Sequence, residues 1–119
     1  MSVYNNCHYW NGTVYSEWWT TNGFIYRADT EGKVLPSYIY YDDDGKVERI
    51  IYHNSLGLVH KSDGPAEIEY DPDGYTVYSF YFINGEEVSY DLYNFIINMM
   101  TEACKRYKKR KRQKKYTKI

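Results

Sequence analysis

With 119 residues, 43% of them hydrophobic and 19% aromatic, the chain has the length of one domain and a composition that excludes general disorder. Its formal charge of −1 hides a split: ten Lys and Arg and no acid lie in 105–119, whereas 1–104 holds all 16 acidic groups and five basic ones, about −11. Two isolated cysteines, Cys7 and Cys104, exclude a disulfide framework and a cysteine metal site.

The first residues carry neither a basic nor an apolar leader pattern, and the apolar runs are too short to span a bilayer. A soluble protein of the cytoplasm with free thiols is therefore expected. No regular element is assigned before the Asn11-Gly12 turn. Beyond it, short β-branched and aromatic runs predict strands near 13–20, 24–28, 37–42, 46–53, 66–71 and 75–83. Between them stand Asn22-Gly23, Asp44-Gly45, Asp73-Gly74 and Asn84-Gly85, pairs that supply the positive φ of tight turns. Ala66, Ile68 and Tyr70 alternate with Glu67 and Glu69, the pattern of a strand with one wet face. The run from Tyr78 to Ile83 is apolar on both faces, so its second face needs a cover. From Ser89 the period changes to that of a helix. Ser89 is the expected N-cap, Asp91 favours the positive end of the dipole, and Leu92, Phe95, Ile96 and Met99 recur on one stripe. Met99 and Met100 read as interior filling. The expected organisation is a β-hairpin repeat domain over 1–89, a helix over 90–110 packed on the sheet, and a flexible basic tail over 111–119. The fold class is mainly β, an antiparallel hairpin meander with one C-terminal α-helix and a basic tail.

The chain repeats itself. Residues 39–45 align with 68–74, and 23–27 align with 57–61, with a weaker copy around Val14 to Trp19. At His60-Lys61-Ser62-Asp63-Gly64-Pro65-Ala66, followed by Asp71-Pro72-Asp73-Gly74 and Asn84-Gly85, the sequence resembles the H-R-x-D-G-P-A repeats of bacteriophage and giant-virus proteins, loosely called MORN-like. Lys61 stands where that pattern has Arg, and the YxGxW-type signature of true MORN repeats is absent. The resemblance covers 57–89 well and 23–57 loosely. It implies a β-hairpin scaffold, a viral (phage) origin with residence in the host-cell cytoplasm, and no catalytic residues.

Catalytic signatures are missing. His8, His53 and His60 are the only histidines, and no nucleophile elbow, P-loop or His-Glu-x-x-His occurs. The Asp42 to Gly45 and Asp71 to Gly74 runs lack the ligand frame of a calcium loop and read as acidic turns. No enzyme, cofactor or metal site is expected. The tail carries the main functional signal. Lys105, Arg106, Lys108, Lys109, Arg110, Lys111, Arg112, Lys114 and Lys115, with Tyr107 and Tyr116 interleaved, suit a polyanion, because cations release counterions from phosphates and rings stack on bases. The same charges suit an acidic protein surface, the chain's own acidic body, or a second copy in a homo-oligomer. Interleaved apolar anchors for a membrane surface are absent. Trp18, Trp19 and Tyr40 are the expected aromatic contact residues. The expectation is a non-enzymatic binding protein, a viral accessory factor using a Tyr-rich sheet and a basic tail. Two alternatives stand beside it: a small-molecule or nucleotide-signal binder that antagonises host defence, and a structural or assembly protein.

Overall fold

A computed structural model describes residues 2–117, with side chains described as far as residue 109. Residues 1–88 form one unit and residues 89–119 a second.

The first unit is an open, eight-stranded antiparallel sheet. Its strands are β1 (Ser2–His8), β2 (Val14–Thr21), β3 (Phe24–Ile25), β4 (Tyr38–Tyr41), β5 (Val47–Ile51), β6 (Glu67–Tyr70), β7 (Thr76–Ile83) and β8 (Glu86–Val88). The order across the sheet is β1-β2-β4-β5-β6-β7-β8, with β3 added on the end of β2. Every expected strand region contains a strand, although 24–28 is reduced to two residues. Sequence reading missed β1 and β8. β1 carries Asn5 and Asn6, which disfavour strands, and β8 is only three residues long.

Three hairpins share one construction. The turns at 9–13, 42–46 and 71–75 each close with a bond from the first residue's N–H to the fifth residue's carbonyl: Tyr9 to Thr13, Asp42 to Lys46 and Asp71 to Tyr75 (2.8, 2.8 and 2.9 Å). The fourth residue is Gly12, Gly45 or Gly74, with φ of 83–90°. In the acidic pair the Asp side chain holds the loop: Asp42 Oδ1 accepts the N–H groups of Asp44 and Lys46, and Asp71 Oδ1 those of Asp73 and Tyr75. This is why an acid opens each of these turns. Three residues beyond each glycine the pairing skips one residue, leaving Tyr15, Glu48 and Val77 as bulges. All three turns lie at one end of the sheet, where Lys46 Nζ donates to Pro72 O across 3.1 Å.

The opposite end is also repetitive. Trp19, Tyr52 and Tyr81 occupy matching positions in successive units. Tyr26 N–H bonds to Trp19 O, as His60 N–H bonds to Tyr52 O (both 3.1 Å). The cation one residue on then caps the ring: Arg27 lies 3.8 Å above Trp19, and Lys61 lies 4.0 Å above Tyr52. The sheet unit therefore contains three repeat units, each headed by one of the hairpins, with β3 and β8 in matching places.

Burial is shallow. In the sheet unit Ala66 is the one buried hydrophobic residue among those described, beside buried Ser16, Ser37 and His53. The strands are held by their ladder and by half-buried cross-strand pairs such as Ile39–Ile50–Ile68.

The second unit is a single helix, α1 (Tyr90–Thr117). Ser89 caps it as expected, its Oγ accepting the Leu92 N–H at 3.2 Å. The helix runs seven residues past the expected end at 110. From 110 to 115 it is Lys, Arg and Gln, good helix formers whose cations favour the negative end of the dipole, and no Gly or Pro stops it before Tyr116 and Thr117. Along α1, Tyr93 is buried, whereas Leu92, Phe95, Met99 and Met100 are exposed, so the two methionines are not interior filling.

Candidate binding surfaces

β-strand alternation decides which rings can act together. The register places Trp18, Tyr38, Ile51, Glu67 and Phe80 on one rung and Ser16, Tyr40, Arg49, Glu69 and Tyr78 on the next, all on one face. Across this face runs a ladder of rings. Trp18 stacks on Tyr38 at 5.4 Å, Tyr38 on Tyr40 at 4.7 Å, Tyr40 meets Tyr15 at 6.0 Å, and Tyr15 stacks on Tyr9 at 5.0 Å. The Arg49 guanidinium sits 4.3 Å above Tyr40 and 3.5 Å from Glu67 Oε1. Burial pushes the Glu67 carboxyl up, and Arg49 opposes that shift only in part. A shallow hollow of about 370 Å³ opens here, lined by Tyr15, Tyr40, Arg49, Glu69, Val77 and Tyr78.

Trp18, Trp19 and Tyr40 therefore do not form one contact surface. Trp18 and Tyr40 share the ladder face, and Trp19 points to the other side, where it meets Tyr4 at 5.3 Å under the Arg27 guanidinium. All three are half-buried rather than exposed. Their adjacency in sequence carried the correction in itself, since neighbouring strand residues face opposite ways. More exposed rings are others: Trp10, 97% exposed at the first hairpin tip, and Tyr75, while the exposed Tyr78 stacks on Phe80. A turn residue directly before Asn11-Gly12 was the available signal for Trp10. On the Trp19 face, Glu17 accepts hydrogen bonds from the hydroxyls of Tyr4 and Tyr41. Burial, reinforced by Glu17, pushes the Tyr41 hydroxyl up to about 12.

A cleft of about 660 Å³ lies between the loops at 26–36 and 52–63. It brings Lys33 and Lys61 together with Tyr26, Tyr52, His53 and His60. His53 Nδ1 lies 2.7 Å from the buried Ser37 Oγ, and His60 Nδ1 accepts the Asn84 N–H at 3.0 Å. Burial lowers the proton affinity of both imidazoles. Ser37 is fully buried, so its pairing with His53 supports the loop and offers no accessible nucleophile.

At the acidic end, the Asp42, Asp43 and Asp44 carboxylates approach within 4.8 Å, and Asp42 already serves its turn. On α1, Lys105, Arg106, Lys108 and Lys109 are exposed. Among the described residues the one ion pair of α1 joins Lys105 to Glu102 at 3.5 Å. Arg110, Lys111, Arg112, Lys114 and Lys115 lie outside the residues whose side chains are described. Among the described residues no helix is long and apolar enough to cross a membrane. No protein-family model, curated protein or solved structure matches the chain.

Proposed function

We propose that this is a non-enzymatic binding protein that holds nucleic acid through the basic end of α1, while its open sheet offers a macromolecular partner an aromatic face. The observation that carries the reading is the acid-free cationic segment beginning at Lys105, built on helix and presented with exposed side chains at Lys105, Arg106, Lys108 and Lys109. Cations fixed at helical spacing neutralise phosphates without waiting for a chain to order. The resemblance to phage and giant-virus repeats is what suggests a viral accessory role.

The test is fluorescence anisotropy of labelled single- and double-stranded DNA and RNA across a salt series. The native chain is compared with a variant carrying Lys105→Gln, Arg106→Gln, Lys108→Gln and Lys109→Gln. Glutamine keeps the helix propensity and removes four charges. Native binding should weaken steeply with salt, and the variant should bind more weakly with a shallower salt slope, by roughly three units if all four residues meet phosphates. Equal binding by the two proteins would sink the reading.

A second reading rests on the 660 Å³ cleft, which sets two lysines beside two tyrosines and two imidazoles, groups suited to a phosphorylated ligand with a flat ring. Its signature would be thermal stabilisation by nucleotides that disappears in Lys61→Ala and persists in the four-glutamine variant.

A further inference from the structure

Each junction between units is built the same way. The outer edge of a unit's first strand receives the middle of the preceding unit's second strand. Thus Tyr38, Ile39 and Tyr40 of β4 pair with Trp18, Glu17 and Ser16 of β2. Glu67, Ile68 and Glu69 of β6 pair with Ile51, Ile50 and Arg49 of β5. The turns at the other end stack in step. A Cβ at Gly57 would lie 3.3 Å from Phe24, and one at Gly85 would lie 3.5 Å from Leu58, so the residue after each glycine packs on the next glycine.

The two ends of the sheet leave this junction half made. β1 holds the place of β4 and β6: Asn5, Asn6 and Cys7 face Trp18, Glu17 and Ser16 of β2, as Tyr38, Ile39 and Tyr40 face Ile51, Ile50 and Arg49 of β5. Among the described residues no strand lies on its outer side. β7 holds the place of β2 and β5. β8 covers only Tyr81 to Ile83, just as β3 covers only Thr20 and Thr21 of β2, so among the described residues Tyr78, Ser79 and Phe80 have no strand partner on that side. Thr76, Val77, Tyr78 and Ser79 are exposed, and among the described residues nothing lies within 4 Å of a Cβ at Gly23, the position at which Gly57 meets Phe24 and Gly85 meets Leu58.

The protection of the edges is uneven as well. β8 is short and carries Glu86 and Glu87, features that discourage strand addition. β1 is seven residues long and bears no Lys, Arg, Asp, Glu or Pro. An edge of that kind is a template for another strand.

We infer that β1 of one copy adds to the Tyr78–Phe80 edge of a second copy, continuing the repeat across molecules. The internal junctions fix the register: Asn5 opposite Phe80, Asn6 opposite Ser79 and Cys7 opposite Tyr78 of the neighbour. The contact is head-to-tail, so assembly continues beyond a dimer into a ring or a filament.

The register makes a sharp test. Directly opposed residues in an antiparallel pair have Cα atoms about 4.5–5.5 Å apart, within reach of a disulfide. The full chain carrying Tyr78→Cys in a Cys104→Ser background, oxidised mildly, should give a reducible ladder of two, three and more copies. The Cys104→Ser chain with Cys7 alone should not. A second measurement needs no cysteine. By sedimentation velocity the native protein should grow in mass with concentration. Asn6→Lys with Ser79→Lys should reduce it to one copy, and Asn6→Lys with Ser79→Glu should restore assembly, because those side chains would face each other. A native chain that stays a single copy at every concentration overturns the inference. So do linked dimers that form equally without the cysteine at 78, which would mean β1 pairs with β1, and so does assembly that persists in the double-lysine variant.

Discussion

At the scale of single residues, the molecule places polar side chains where the backbone needs them. Ser37 and His53 are both buried and satisfy one another, and Ser37 Oγ also lies 3.3 Å from Ile51 O. The bond ties the strand start at β4 to the loop after β5. Burial lowers the proton affinity of His53, with Lys33 and Lys61 lining the same cleft and adding no anion to favour the imidazolium, while exposed Asp63 is engaged with Lys61 at 3.7 Å. The sign follows. The folded protein binds the His53 proton less tightly than the unfolded chain, whose imidazole titrates near 6.5. Stability is therefore full above that value and declines as pH falls through it. His60 shifts in the same direction. Thermal melts between pH 7.5 and about 5.5 should show a falling Tm, and His53→Gln should flatten that fall. The raised carboxyl of Glu67 works the other way, since it holds a proton better in the folded state, so it cannot be the source of the decline. An unchanged slope in His53→Gln would remove His53 from the account. None of this was legible beforehand: a histidine beside a strand end has no sequence mark that separates burial from exposure.

At the scale of elements, glycine does two different jobs that a sequence cannot tell apart. Gly45 and Gly57 both have left-handed backbone, φ 83° and 78°, and both sit fourth in a five-residue turn. A Cβ at Gly45 meets open space, whereas one at Gly57 comes within 3.3 Å of the Phe24 ring, the contact that stacks one unit on the next. Gly45→Ala should therefore cost only backbone strain, about 1–2 kcal/mol. Gly57→Ala should cost more, and Phe24→Ala in the same chain should recover part of the excess. Urea denaturation of the four proteins measures this directly. Equal losses at the two glycines would mean that the Phe24 contact gives way freely. The turns themselves were readable, because Asn-Gly and Asp-Gly advertise positive φ. So were the strands carrying β-branched and aromatic residues, and so was the helix start at Ser89. β1 was not, since its polar run gains its strand form from pairing with β2 over its whole length rather than from its own preference. The helix end lies beyond the expected 110 because a run of Lys, Arg and Gln, though highly charged, suits a helix as well as a tail.

At the scale of the whole molecule, two kinds of association are expected, and salt separates them. The charge split was fully visible in the sequence, about −11 before residue 105 and ten cations from Lys105 onward. Strand alternation already sets Trp18 and Trp19 on opposite faces, whereas the face that Tyr40 shares with Trp18 followed only once the register was known. Nucleic-acid binding at the α1 end is driven by counterion release, so its constant should fall by orders of magnitude over a few-fold rise in salt. Strand addition between Asn5–Cys7 and Tyr78–Phe80 is made by backbone hydrogen bonds between uncharged residues, which ionic strength hardly touches. Sedimentation at low and high salt, with and without a labelled oligonucleotide, should then show the oligonucleotide released while the protein's concentration-dependent mass persists. If the assembled mass instead disappears with the same salt dependence as the bound oligonucleotide, copies are held by the cationic helix meeting an acidic body. The sheet edge would then be idle, and Asn6→Lys with Ser79→Lys would leave assembly intact while the four-glutamine variant abolished it.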